Sequence, residues 1–172
     1  MIKKIILILS IFFIMINVVK GNETKLPEDA IRLRIIANSD SEYDQQIKMK
    51  VKEKIQKELS IMLKDTKDII ETRQIIANNF TKLDNLVKET LDKENYELGY
   101  KINYGYNYFP EKEYDGIIYE EGEYESLLIT LGEGNGKNWW CVLFPPLCII
   151  EAEEDEEVKY ESFFSEILQK IF

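Results

Sequence analysis

Between Leu131 and Cys148 the chain reads LGEGNGKNWWCVLFPPLC, and no other stretch restricts its fold so tightly. Both tryptophans, both cysteines, three of the eight glycines and two of the four prolines fall here, so side chains are specified beyond a polar/apolar pattern. Asn138 to Phe144 predicts a short buried strand. Trp139, Cys141 and Leu143 would face one side and Trp140, Val142 and Phe144 the other, both apolar, as suits a central strand rather than an edge. Pro145 and Pro146 stop it, because neither has an N–H to donate to a ladder. Upstream, Gly132, Gly134 and Gly136 offer positive-φ backbone for a turn from Leu127–Leu131, so the expectation is a hairpin whose second strand fills a core. Two adjacent indoles beside a glycine-rich turn also suit a binding surface that uses one of them.

The rest of the chain supplies what that strand packs against. Ile31 to Ala37 alternates Ile31, Leu33 and Ile35 against Arg32 and Arg34, a strand pattern. Asn38-Ser39-Asp40-Ser41 breaks it, and Ser41 with Asp44 forms a capping-box pair that opens a helix. That helix, Glu42 to Leu63, carries Ile47, Val51, Ile55, Leu59 and Met62 as one apolar stripe, better suited to the domain's own sheet than to a coiled-coil partner. A second helical stretch from Asp68 to Lys93 places Ile69, Ile76, Phe80, Leu83, Val87 and Leu91 on one face, with a bend expected near Asn78-Asn79. From Glu97 the period becomes two: Leu98, Tyr100, Ile102, Tyr104, Tyr106 and Tyr108 share one side of a long strand. The tyrosine ladder covers a sheet face, and the same ladder would serve polysaccharide or peptide binding. Tyr114 to Tyr119 and Tyr124 to Leu131 add strands on either side of a turn at Glu120–Glu123, and Tyr160 to Phe172 has helical amphipathicity. Short loops between successive strands imply antiparallel pairing. The expectation is an α+β domain over residues 30–172, a mainly antiparallel sheet of about five strands with helices packed on one face.

Residues 1–21 read as a targeting segment. Lys3 and Lys4 precede an apolar run from Ile5 to Ile16, extended past Asn17 by Val18 and Val19, in the order of a secretory signal and short of the about 20 residues a spanning helix needs. Val19 and Gly21 make a poor cleavage pair, so a removed signal peptide and an uncleaved signal anchor both remain open. The remainder is expected outside the membrane of the producing cell. The chain's net charge is -10, and loss of Lys3, Lys4 and Lys20 with residues 1–21 would take it to -13. Such a body is repelled by nucleic acid and by anionic lipid, so no nucleic-acid partner is expected, and membrane contact is confined to the N-terminal segment. In an exported domain a Cys141–Cys148 bond would close a small loop around Pro145-Pro146; two free buried cysteines are the alternative.

The chain has no histidine, which removes Ser-His-Asp and Cys-His nucleophiles and histidine metal sites. Gly132 to Lys137 fails as a phosphate loop, because Leu131 stands where glycine is needed and Asn138 where Ser/Thr is needed. The Glu151–Glu157 acidic run lacks calcium-loop geometry and reads as a solvated loop. No metal and no cofactor is expected. Paired carboxylates remain a route to acid/base chemistry, with Asp40, Asp44 and Glu133 as the candidates.

IRLRIIANSDSEYDQQIKMKVKEKI at Ile31–Ile55, YFPEKEYDG at Tyr108–Gly116 and EGEYESLLITLGEGNGKNWWCVLFPPLC at Glu121–Cys148 resemble stage II sporulation protein R of endospore-forming bacteria. The resemblance covers roughly residues 30 to 150. It implies a signalling protein rather than an enzyme, exported from the forespore into the space between forespore and mother-cell membranes. There it would activate the membrane-embedded aspartic-type protease that processes pro-sigma-E. The face expected to meet that protease combines the loop carrying Asn38, Ser39, Asp40 and Asp44 with the turn carrying Gly134, Gly136 and Asn138 and an indole of Trp139 or Trp140. The rival from another class is a carboxylate-dependent cell-wall glycan hydrolase using the tyrosine face as platform, or a wall-associated binding module.

Overall fold

The computed structural model describes residues 29–114 and 117–146. In chain order they form β1 (Ile31–Ile36), α1 (Glu42–Leu63), α2 (Ile69–Asn78), α3 (Phe80–Lys93), β2 (Tyr100–Phe109), β3 (Lys112–Tyr114), β4 (Ile117–Tyr119), β5 (Gly122–Leu131) and β6 (Asn138–Phe144). The chain divides into two compact units. The smaller contains Phe109–Gly122, in which β3 and β4 pair antiparallel. The larger contains Asp29–Tyr108 and the chain from Glu123, with the helices and a four-stranded sheet.

The fold class is α+β as expected, but the sheet is mixed. Its strand order is β2-β5-β1-β6, with β1 parallel to β5 and antiparallel to β6. The expected hairpin of β5 and β6 is therefore split: β1 lies between them, pairing Leu33 with Leu127 on one side and with Cys141 on the other. The inward side chains Ile31, Leu33 and Ile35 of β1 are fully buried, as suits a strand with a ladder on both edges, and β6 takes the outer place among the described strands.

The helices follow from their caps and stripes. The Ser41 hydroxyl accepts from the Asp44 N–H at 3.2 Å to start α1, whose stripe Ile47, Val51, Ile55, Leu59 and Leu63 is buried. Asp68 caps α2 through the Glu71 N–H at 2.9 Å. The expected bend proves to be a break at Asn79, whose side-chain amide donates to the Ile75 carbonyl at 2.8 Å while its own carbonyl accepts from Leu83 at 3.0 Å. One residue thus closes α2 and opens α3. The three stripes meet Leu33, Ile35, Leu127, Ile129, Leu131 and Leu143 in one core, which places the helices on a single sheet face. Each of these side chains, fully buried, contributes about 1.5–3 kcal/mol. On β2 the tyrosine ladder divides. Tyr100, Ile102 and Tyr104 pack on the core, whereas Tyr106 is 69% exposed and Tyr108 54%.

Residues 1–21, Cys148, the Glu151–Glu157 run and the Tyr160–Phe172 stretch lie outside the described residues. Among the described residues no helix is long and apolar enough to cross a membrane.

Candidate functional site

Because β1 and β5 run parallel, both end at the same rim of the sheet, and β6 starts there with Asn138 opposite Ile36. The chain from Leu131 to Asn138 must therefore arch over the end of β1, onto Ala37–Ser41. Five hydrogen bonds join the two loops. The Gly136 N–H donates to the Ala37 carbonyl at 2.9 Å, Asn135 N–H to the Asn38 carbonyl at 3.0 Å and Ala37 N–H to the Lys137 carbonyl at 3.5 Å. The Asn38 side-chain oxygen accepts from Glu133 N–H at 3.0 Å, and an Asp40 carboxylate oxygen accepts from Lys137 N–H at 2.7 Å.

Two glycines are required by this arch. At Gly136 a Cβ would stand 2.2 Å from the Ser39 carbonyl oxygen, and at Gly132, whose φ is +54°, it would stand 2.4 Å from the Asn38 side-chain oxygen. Gly134 sits at the tip, over Thr130.

Beneath the arch, Asp44 is buried and gathers the loop from below: its carboxylate accepts from the Asn38 amide at 2.9 Å and from the Ser39 hydroxyl. Ser39 in turn accepts from the Ser41 N–H at 3.1 Å. The capping box is thus half formed, since the Ser41 N–H is held by Ser39 rather than by the Asp44 carboxylate. Burial alone would raise the Asp44 carboxyl; hydrogen bonds from Ser39, Asn38 and Ser41 outweigh it and hold the group below its ordinary range. That direction suits a permanent acceptor and opposes service as a proton donor at neutral pH.

Lys48 is the residue the sequence reading missed. It is 6% exposed and donates to the Gln45 side-chain oxygen at 2.6 Å and to the Lys137 carbonyl at 3.1 Å, fastening α1 to the arch. Burial lowers its pKa, with Asp40 opposing and Lys137 adding to the shift. The signal was in the spacing: Asp44, Ile47, Lys48 and Val51 share one helical face, so a carboxylate and an ammonium stand on the buried stripe.

The two indoles diverge. Trp139 packs against the core with the Lys52 ammonium 5.2 Å from its ring centre, whereas the Arg34 guanidinium lies 4.6 Å from the ring centre of Trp140. Arg34 also donates to the Asn138 side-chain oxygen at 3.1 Å and to the Tyr108 carbonyl at 3.0 Å. Cys141 is disulfide-bonded. The structure therefore assembles Asn38, Ser39, Asp40, Asp44, Gly134 and Gly136 into one rim, sets Asn138 and Trp140 beside it through Arg34, and turns Trp139 toward the helices. Glu133 is exposed on the same rim, its N–H rather than its carboxylate holding the loops together. Away from the rim, a groove of about 470 Å³ runs along Asp84, Lys88, Tyr96 and Tyr100, where the Tyr100 hydroxyl donates to Asp84 at 2.8 Å.

The family model described as stage II sporulation protein R matches residues 27–154. A curated relative, stage II sporulation protein R of Bacillus subtilis (strain 168), is 44% identical over 134 residues, 78% of this chain and 60% of that protein. The match thus spans about three fifths of the relative's length. No solved structure matches.

Proposed function

This chain belongs to the stage II sporulation protein R family, and from that premise we propose that it is an exported signal of endospore formation that switches on a protease by binding it. In this reading the forespore secretes it into the space between forespore and mother-cell membranes. Its partner is the outward-facing part of the membrane-embedded aspartic-type protease that processes pro-sigma-E. The chain acts as a ligand: it binds the active state of the protease better than the inactive one, and shifts that equilibrium by the difference in affinity. Membrane contact comes through the N-terminal segment and the partner alone.

The observation that carries the choice of surface is the welded rim. Loops fixed by hydrogen bonds lose little conformational entropy on binding, so their exposed groups Asp40, Glu133, Asn135 and Lys137 are offered ready ordered. The Asp40 and Asp44 carboxylates are occupied as hydrogen-bond acceptors of loop backbone and side chains, which favours a binding surface over an acid/base pair.

The test is reconstitution. Pro-sigma-E and its protease are produced in a non-sporulating host with this chain exported or absent, and the size of sigma-E is followed on a gel. Cleavage is expected only with the exported chain. Glu133→Lys, a reversal at an exposed position, is expected to abolish cleavage while leaving thermal unfolding unchanged. Cleavage that proceeds equally without the chain would sink the reading.

A further inference from the structure

β2 is the outer strand on the side of the sheet away from β6 among the described strands. Strands in that position present a row of backbone N–H and C=O groups, and proteins commonly blunt them with charge, proline or brevity. β2 has little of these defences. It is ten residues long, contains no proline, and carries one charge, Lys101, in a chain of which 31% is charged. Leu98 just before it and Tyr106 and Tyr108 within it are among the most exposed large apolar side chains of the described residues. At Gly105, with φ +153°, an added Cβ would meet nothing within 4 Å, so the chain's own packing leaves that space empty. A glycine inside a strand marks a bulge, a tight bend or a place where another backbone approaches, and the open space at Gly105 leaves room for the last.

We infer that β2 pairs with β2 of a second copy of this chain, antiparallel about a two-fold axis, joining two four-stranded sheets into one of eight strands. The sequence of β2 is complementary to itself in this arrangement. With Tyr104 at the axis, Ile102 falls opposite Tyr106 and Tyr100 opposite Tyr108, one aromatic–β-branched and one aromatic pair, both of kinds that stabilise a ladder. Lys101 then faces Asn107; the lysines meet only in a register centred on Lys101 itself. An isologous contact closes on itself and stops at two. Opposing it is the net charge of -10 on each copy, a repulsion spread over the surface and screened by salt. Association therefore strengthens as ionic strength rises, the opposite of an ion-paired interface.

This inference stands apart from the protease reading and is tested without the protease. The chain secreted from a bacterial host is examined by sedimentation equilibrium at low and high salt, together with Asn103→Lys and Asn103→Ser. Asn103 is exposed near the middle of β2 and donates to Asn107 at 2.8 Å, a bond both substitutions remove. The parent chain is expected to show twice the monomer mass, with a larger dimer fraction at high salt. Asn103→Lys sets two like charges diagonally across the axis, each opposite the other copy's Gly105, and is expected to lose the dimer. Asn103→Ser is expected to keep it, and all three are expected to melt alike when monomeric. A parent chain that stays monomeric at its highest soluble concentration in high salt overturns the inference. So does a lysine variant that dimerises as well as the parent.

Discussion

Asp44 is where the chemistry of single residues is most exposed to measurement. Its carboxylate gathers the Asn38 amide and the Ser39 hydroxyl under the arch, and Asp44→Asn replaces an acceptor with a group that presents donors to donors. The expected loss is about 1–3 kcal/mol of unfolding free energy at neutral pH, read from urea midpoints. The pH dependence follows from the depressed carboxyl. Protonation is harder in the folded state, so the stabilising contribution is present above the unfolded value of about 3.9 and is lost as pH falls through the lower folded value. The gap between parent and variant is therefore expected to close in acid. Gly136→Ala makes a second residue-scale test: a methyl 2.2 Å from a backbone oxygen forces the loops apart, at a cost of about 1–3 kcal/mol, whereas Asn135→Ala at an exposed side chain changes little.

Among the elements, the break between α2 and α3 hangs on Asn79. Asn79→Ala keeps the backbone and removes the amide that closes α2 onto the Ile75 carbonyl, so a fall of about 0.5–1.5 kcal/mol is expected in thermal or chemical unfolding. Elements of this local kind were legible in the chain. The cap at Ser41 and the stripe from Ile47 to Leu59 lie within a few residues of what they stabilise, and α1 came out with its expected bounds. Strand neighbours were not. Period two in Ile31–Ile36 fixes which side chains point inward and says nothing about which strand lies alongside, so β1 entering between β5 and β6 was invisible, and with it the parallel pair. The candidate site was legible as two loops with unusual composition, and only the family resemblance implied that they meet. Its physical cause, the arch over the end of β1, is a property of topology. Lys48 escaped because a lysine on an amphipathic helix is ordinarily solvated, and only the arch supplies the Lys137 carbonyl that makes its burial tolerable.

For the molecule as a whole, three buried or half-buried phenols set the behaviour in base. Burial pushes Tyr96 and Tyr100 up to about 12, with Asp44 beside the first and Asp84 bonded to the second. Tyr104 is raised further, by burial and then by its bond to Glu125, which Arg73 grips through both carboxylate oxygens. Each favours the neutral form when folded, so the stability it lends is complete below about pH 10 and drains away as pH rises through the folded value. Spectrophotometric titration is expected to show these phenols ionising later than the exposed tyrosines, together with unfolding. The ladder of β1 has a different consequence, in time rather than in energy. Arg34 and its partner Asn138 are separated by 104 positions, so the first described strand to leave a ribosome waits for the last described one. A chain cut after Lys137 is expected to lack cooperative unfolding by circular dichroism. On the proposed export route, β1 crosses the membrane with β2 and β5 behind it but without its β6 ladder, and the sheet is complete only once the tryptophans have passed.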